Sequence, residues 1–283
     1  VTYEQLLKLA YQKTKTYQKE EEATKLLLME LSGQDQHQFY LNLKTEVKPG
    51  FADDFLEKLM LYLKDNQPVQ HIIGHAYFYG YQFKVNQDVL IPRSETEQLV
   101  EHVLYYYDQY FEHQKVRVLD LGTGSGCIGL TLSLEEHNMD ITISDISEEA
   151  LKVAAINQKN LGSNAQIILS DLFKNILGTF DIIVSNPPYI PDSEVVQDIV
   201  EKEPSVALYG GSLGVDFYDQ ILSQAKKYLK PRGLIAFEHG YQQREIILGF
   251  AKHHFGDGNI IQEKDLAGKD RFTFIGTLDV LKP

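Results

Sequence analysis

Through the first seventy positions, apolar residues recur at three- and four-residue spacing, the repeat of one helical face. Leu6, Leu7 and Ala10 follow Thr2 and Gln5, a pair with capping-box spacing. A second cluster runs Leu26, Leu27, Leu28, Met29 and Leu31, and after Pro49-Gly50 a third runs Phe51, Phe55, Leu56, Leu59, Met60 and Leu63. Short helices with such stripes must pack on one another, so the stripes read as core rather than as a groove. Pro68 ends this region. Over residues 76–91 the period changes: Tyr77, Phe78, Tyr79, Tyr81, Phe83, Val85, Val89 and Leu90 around Gly80 predict a β-hairpin. The expected division is a helical domain over 1–73, a hairpin connector over 74–90 and a larger domain over 91–283.

From about residue 116 strand and helix patterns alternate. Strands are expected at Val116–Leu119, Ile141–Ile143, Ile167–Leu169, Asp181–Val184 and Leu234–Phe237, with helices near 127–137, 148–160, 215–229 and 241–254. Ser147 suits the N-cap of the second of these helices and Gly162 its stop. Such alternation means βαβ units, hence an α/β fold with a doubly wound, mostly parallel sheet. The end differs: Ile260-Ile261 and Phe272–Ile275 are too close for a crossover helix and are expected to pair as an antiparallel hairpin at one sheet edge, giving seven strands in all.

Composition narrows the class. The hydrophobic fraction of 43% argues against whole-chain disorder, and no run of about 18 apolar residues predicts a membrane span. One cysteine, Cys127, forbids an intrachain disulfide and fits a reducing, cytoplasmic location. The start, Val1-Thr2-Tyr3-Glu4, lacks the basic-then-apolar pattern of a signal peptide. The net charge of −13 disfavours a broad basic face for nucleic acid. The nine histidines include His253-His254, expected exposed at a helix end, but no convincing ligand set, so no metal site is indicated.

Candidate chemistry begins at Asp120-Leu121-Gly122-Thr123-Gly124-Ser125-Gly126, which follows the first strand and opens a helix. Glycines there let backbone approach a ligand, and the helix start supplies free N–H donors. Asp145 ends the next strand, where a carboxylate can accept hydrogen bonds from ribose hydroxyls, each worth roughly 1.5–3 kcal/mol. A nucleoside-containing cofactor is implied. Gly124, Gly126 and Gly129 also satisfy G-x-G-x-x-G, which keeps a nicotinamide dinucleotide open at this point.

Asn186-Pro187-Pro188-Tyr189 ends the fourth strand and so falls on the same rim as the glycine loop. The Asn186 amide oxygen and the Pro187 carbonyl offer two acceptors beside the flat face of Tyr189, a set suited to a planar –NH₂ on a carbonyl or aromatic carbon. Conjugation makes such nitrogens poor nucleophiles; the peptide rotation barrier of about 18–20 kcal/mol gives its scale. Two acceptors gripping the N–H bonds orient the group and stabilise positive charge developing on it. Alignment with a methyl sulfonium contributes roughly 7–11 kcal/mol.

These two motifs resemble those of class I S-adenosylmethionine-dependent methyltransferases acting on amino nitrogens. With Gln67–Gly74, Ile91–Glu97, Ser185–Ile190, Glu203-Pro204 with Ala207-Leu208, Glu238-His239-Gly240, and Asp265–Gly268 with Asp270-Arg271, the chain resembles the release factor glutamine methyltransferases over about residues 67–275. The resemblance implies a Rossmann-like catalytic domain and methyl transfer from S-adenosyl-L-methionine to the side-chain amide nitrogen of the glutamine in the Gly-Gly-Gln motif of class I peptide-chain release factors. Carried over by position, Gly122, Thr123, Gly124, Ser125 and Gly126 hold the cofactor's methionine end, with Asn186 beside them. Asp145 binds its ribose, and Asp171, Leu172 and Phe173 flank the adenine. Asn186, Pro187, Pro188 and Tyr189 hold the substrate glutamine, with Asn186, Pro187 and Tyr189 carrying the catalysis. Arg93 and Glu97 are either site-rim residues contacting substrate or a structural ion pair. Glu238, at a strand end, either orders the substrate pocket or caps a loop.

The partner implied is the release factor itself, recognised in part by the helical domain, with no stable nucleic-acid complex and no membrane. The rival readings are a nucleic-acid amino methyltransferase, whose tetrapeptide chemistry is nearly the same, an NAD-dependent oxidoreductase, and a noncatalytic adaptor.

Overall fold

The computed structural model describes residues 1–256 and 258–282. They form two compact units: residues 1–75 together with 196–202, and residues 76–195 together with 203–256 and 258–282.

The first unit is helical: α1 (Tyr3–Thr16), α2 (Glu21–Ser32), α3 (Gln36–Leu41), α4 (Phe51–Leu63) and α5 (Val69–Ile73). The capping box at the start of α1 is present in full, with the Thr2 side chain accepting from the Gln5 amide and the Gln5 side chain accepting from that of Thr2. Leu6, Leu27, Leu28, Phe39, Phe55 and Leu59 are fully buried in one core, against which Ile199 of the returning segment also packs. The stripes expected to be core are core.

The second unit begins with the expected hairpin, β1 (His75–Phe78) and β2 (Tyr81–Lys84), which form a two-stranded sheet. Next comes α6 (Ser94–Phe111), an eighteen-residue helix not among the elements expected above. Its stripe of Leu99, Val100, Val103, Tyr106 and Tyr107 is buried. The elements that follow are β3 (Val116–Leu121), α7 (Cys127–Glu135), β4 (Met139–Asp145), α8 (Glu148–Leu161), β5 (Gln166–Leu169), β6 (Phe180–Ser185), α9 (Ser205–Leu208), α10 (Asp216–Ala225), β7 (Leu229–Glu238), α11 (Arg244–Phe255), β8 (Asn259–Lys264) and β9 (Asp270–Gly276). Helix α8 has the expected Ser147 cap and the Gly162 stop, the latter in the left-handed conformation.

Seven strands form one sheet in the order β5-β4-β3-β6-β7-β9-β8. The first five strands in this order are parallel, and β9 runs antiparallel between β7 and β8. The edge hairpin is therefore present, with its second strand on the inside. Alternate residues of the central strands feed two cores. Val116, Val118, Ile182 and Val184 pack with α6 and α7 on one face. Leu119, Leu121, Ile183 and Ile235 pack with α10 and α11 on the other. A sheet covered on both faces explains why these strands are nearly continuous apolar runs.

The chain order matters for the site. From β3 it winds outward through β4 and β5, then returns to place β6 on the opposite side of β3. The carboxyl ends of β3 and β6 thus border the crevice where strand order reverses, the position at which open α/β sheets bind ligands.

Candidate active site

Leu121 pairs with Ser185 across β3 and β6, and the Ser185 hydroxyl donates to the Leu121 carbonyl at 2.7 Å. The next residue on each strand opens a motif: Gly122 on one side, Asn186 on the other. Both motifs line one cavity, together with Asp145, Asp171, Leu172, Pro187, Pro188 and Arg93. With solvent at its mouth included, its empty space is about 1110 Å³.

The glycine loop is shaped by backbone needs. Gly122, Gly124 and Gly126 all have positive φ, at 71°, 55° and 87°. A Cβ on Gly122 or Gly124 would meet no atom within 4 Å, so the loop leaves space on its exposed side. Beneath it Asp120 is fully buried, and its Oδ2 accepts from the Thr123 hydroxyl at 2.6 Å and the Gly129 amide at 2.9 Å. Burial pushes the Asp120 carboxyl up to about 6, and its Oδ1 has no partner. Asn157 of α8 secures the loop from the side, donating to the carbonyls of Ser125 and Lys84 at 2.8 and 3.0 Å.

Asp145 accepts from the Gly124 amide at 2.8 Å and the Ser147 amide at 2.9 Å, one through each oxygen. Each oxygen keeps a second lone pair for a ribose hydroxyl. Burial raises its carboxyl above the usual range, against the pull of those amides. Leu172, at the expected adenine position, holds φ at 46°, an uncommon conformation for a non-glycine residue. This cradle of glycines, carboxylate and apolar wall fits S-adenosyl-L-methionine.

Not every expected residue reaches the cavity. Phe173 is 0% exposed and stacks on Tyr228 at 4.5 Å, so it belongs to the core and does not flank an adenine. Glu97 accepts from the Tyr79 amide at 2.6 Å, fixing the hairpin turn. It forms no ion pair with Arg93, which bonds instead to Glu203, whose other oxygen takes the Ile91 amide at 2.8 Å. Tyr189 does not line the cavity; its carbonyl accepts from Gln243 at 2.7 Å, and burial raises its hydroxyl to about 12. His254 is partly buried and hydrogen-bonded to Asp219 at 2.6 Å, whereas His253 is exposed as expected.

Other residues the sequence reading did not place are Thr96, Asp88, Val89 and Phe217, all lining the cavity, and Asn157 behind it. Thr96 falls within the Ile91–Glu97 motif and Val89 within the hairpin pattern, yet neither segment by itself places the residue in the cavity, and Asp88 and Phe217 carry no local signal. Outside the cavity, ligand atoms of Asp108, His113 and Glu136 fall within 4.8 Å of one another near the surface, a cluster of a kind common among exposed acidic groups. Among the described residues no helix is long and apolar enough to cross a membrane.

Comparison with known proteins agrees with this geometry. The family described as "Methyltransferase small domain" matches residues 99–238, and "PrmC N-terminal domain" matches residues 5–74. A methyltransferase structure from Pyrococcus furiosus shares the fold, with a TM-score of 0.51 and 18% identity over 70% of this chain and 90% of that one. The release factor glutamine methyltransferase of Bacillus anthracis is 35% identical over 90% of this chain and 92% of its own length. That of Streptococcus pneumoniae is 40% identical over 84% of this chain and 85% of its own. With both domain families matched and such relatives aligned along nearly their whole length, the chain belongs to the release factor glutamine methyltransferase family.

Proposed function

We propose that the chain transfers a methyl group from S-adenosyl-L-methionine to the side-chain amide nitrogen of the glutamine in the Gly-Gly-Gln motif of class I peptide-chain release factors. The observation that carries this is the sharing of one cavity by Gly122–Ser125, Asp145 and Asn186–Pro188.

When bound, S-adenosyl-L-methionine supplies an electrophilic methyl group on a sulfonium. The chain's residues do the rest. Gly122 to Gly126 receive the methionine end, Asp145 accepts from the ribose hydroxyls, and Asp171 with Leu172 walls the adenine. The Asn186 Oδ1 and the Pro187 carbonyl each accept one N–H of the substrate amide, holding its nitrogen in line and favouring the charge that develops there. Pro188 stiffens this pair. Tyr189 supports it from behind through its carbonyl bond to Gln243. The alkylated nitrogen is acidic and gives its proton late to solvent water, so no separate strong base is needed.

The helical unit serves as a second surface for the release factor, since a single glutamine side chain is a small target. The enzyme works in the cytoplasm, where such factors act. The test is transfer of a labelled methyl group to intact release factor, to the same factor with the Gly-Gly-Gln glutamine replaced by alanine, and to unmethylated DNA and RNA. Label on the intact factor alone is expected. Label on nucleic acid with none on the factor would overturn the substrate while leaving cofactor and fold in place.

A further inference from the structure

The Asn186–Tyr189 segment can be held in few ways. Pro187 and Pro188 carry no backbone N–H, so at these two positions the main chain can be anchored only through its carbonyls. The Asn186 and Pro187 acceptors are left for the substrate. The carbonyls that follow them meet a clamp built outside the cavity.

Its centre is Gln243, at the head of α11. It lies five residues past Glu238, which ends β7 buried and away from the cavity. Gln243 is 6% exposed and does not line the cavity either. Its Nε2 donates to the Tyr189 carbonyl at 2.7 Å, and stands 3.0 Å from that of Gly214 and 3.2 Å from that of Leu213. Its Oε1 accepts from the Gly240 amide at 2.9 Å. The side chain has one workable orientation. A backbone N–H only donates and a carbonyl only accepts, so a reversed amide would set an oxygen against three oxygens and N–H against N–H.

The loop between α9 and α10 closes the clamp from the other side. The Gly210 amide donates to the Ile190 carbonyl at 2.9 Å, and the Ile190 amide to that of Leu208 at 2.9 Å. A Cβ on Gly210 would stand 2.2 Å from the Pro188 carbonyl oxygen, and one on Gly214 would stand 2.1 Å from that of Tyr189. The backbone after Pro187 is therefore enclosed by this loop and one buried amide. We propose that Gln243 is a positioning residue for methyl transfer: with the Gly210–Gly214 loop it fixes the chain that follows Pro187, and so the aim of the Asn186 and Pro187 acceptors at the substrate nitrogen. This rests on the function proposed above. A misplacement of about 1 Å at such a site costs on the order of a hundredfold in rate. Gln243 does not line the cavity, so its loss falls on kcat and far less on cofactor binding.

The test compares full-length wild type, Gln243→Glu and Gln243→Met for methyl transfer to release factor, with the affinity and stoichiometry of S-adenosyl-L-methionine binding measured alongside. Gln243→Glu puts an oxygen where three carbonyls meet, and Gln243→Met removes the donors at nearly the same volume. Each is expected to lower kcat about tenfold to a hundredfold, with cofactor Kd within about twofold and about one cofactor still bound per chain. Wild-type kcat in either variant overturns the proposal. So does a kcat that falls only in step with the fraction of chains still binding cofactor, the mark of a merely structural role. Should neither variant fold, hydrogen exchange at the Gln243 side-chain amide of the wild type, read by NMR, takes their place: protection is expected, and free exchange overturns the clamp. If the wild type labels nucleic acid and not the factor, the substrate assignment falls, and the same kcat ratios measured on that acceptor test Gln243 separately.

Discussion

The Gly124 amide donates to Oδ2 of Asp145 at 2.8 Å, so the carboxylate suited to the cofactor's ribose also holds the loop suited to its methionine end. Loop and carboxylate are one hydrogen-bonded unit. Asp145→Ala should weaken binding of S-adenosyl-L-methionine about tenfold to a hundredfold, as expected for losing charge-assisted bonds worth roughly 1.5–3 kcal/mol. Isothermal titration checks this. Asp145→Asn should lie between, because its amide has one accepting oxygen for two backbone donors.

Asn186→Ala should cut methyl transfer by about 10² to 10³, the usual effect of removing one pre-placed group that stabilises developing charge. Cofactor affinity should change far less. Single-turnover transfer with saturating cofactor separates the two. Equal losses in both would mean that Asn186 mainly holds cofactor.

Gly129 is fixed by packing. A Cβ there would stand 2.4 Å from Ile143 Cγ2 and 3.0 Å from Asp120 Oδ2. Gly129→Ala should destabilise the fold by about 1–3 kcal/mol despite alanine's better helix propensity, since the collision is with a buried strand residue. Urea unfolding provides the measurement.

Glu238 and Asp120 give stability a definite pH slope. Both bind a proton more tightly folded than unfolded: Glu238 moves from 4.5 to about 7 and Asp120 from 3.8 to about 6. Their contribution is therefore greatest below the unfolded values and is lost as pH rises through the folded ones. Glu238→Gln mimics the protonated form. Its stability relative to wild type should rise as pH goes from 4.5 to about 7 and level off above that. Urea midpoints across this range check the sign; a constant difference would mean that the carboxyl stays ionised in the fold.

The parts legible in the sequence are those whose chemistry is written in consecutive residues. The glycine loop, Asp145 at a strand end and Asn186–Pro188 need only their own segments to be recognised, and strand alternation places them on one rim. Helix α6 carries its own stripe in Leu99, Val100 and Val103, but it lies between a motif and the first strand, outside the alternation that marks the α/β pattern. Partnerships across the fold are another matter. Arg93 finds Glu203 rather than Glu97 because the fold returns residue 203 to the start of α6, while Glu97 turns to the Tyr79 amide. Phe173 lies next to cavity-lining Leu172, yet a single step along the backbone sends it into the core. Thr96 and Asn157 act through hydrogen bonds to residues 90 and 32 positions away, which no local spacing reveals.

The helical unit is not one uninterrupted stretch of chain. Residues 196–202, a few positions beyond Tyr189, return to it, and Ile199 packs in its core before the chain leaves again for Glu203. A chimera that borrowed only residues 1–75 from a relative would therefore seat a foreign helical core against the host's own Ile199. An exchange of the helical unit between family members calls for two grafts made together, and the second begins seven residues after Tyr189.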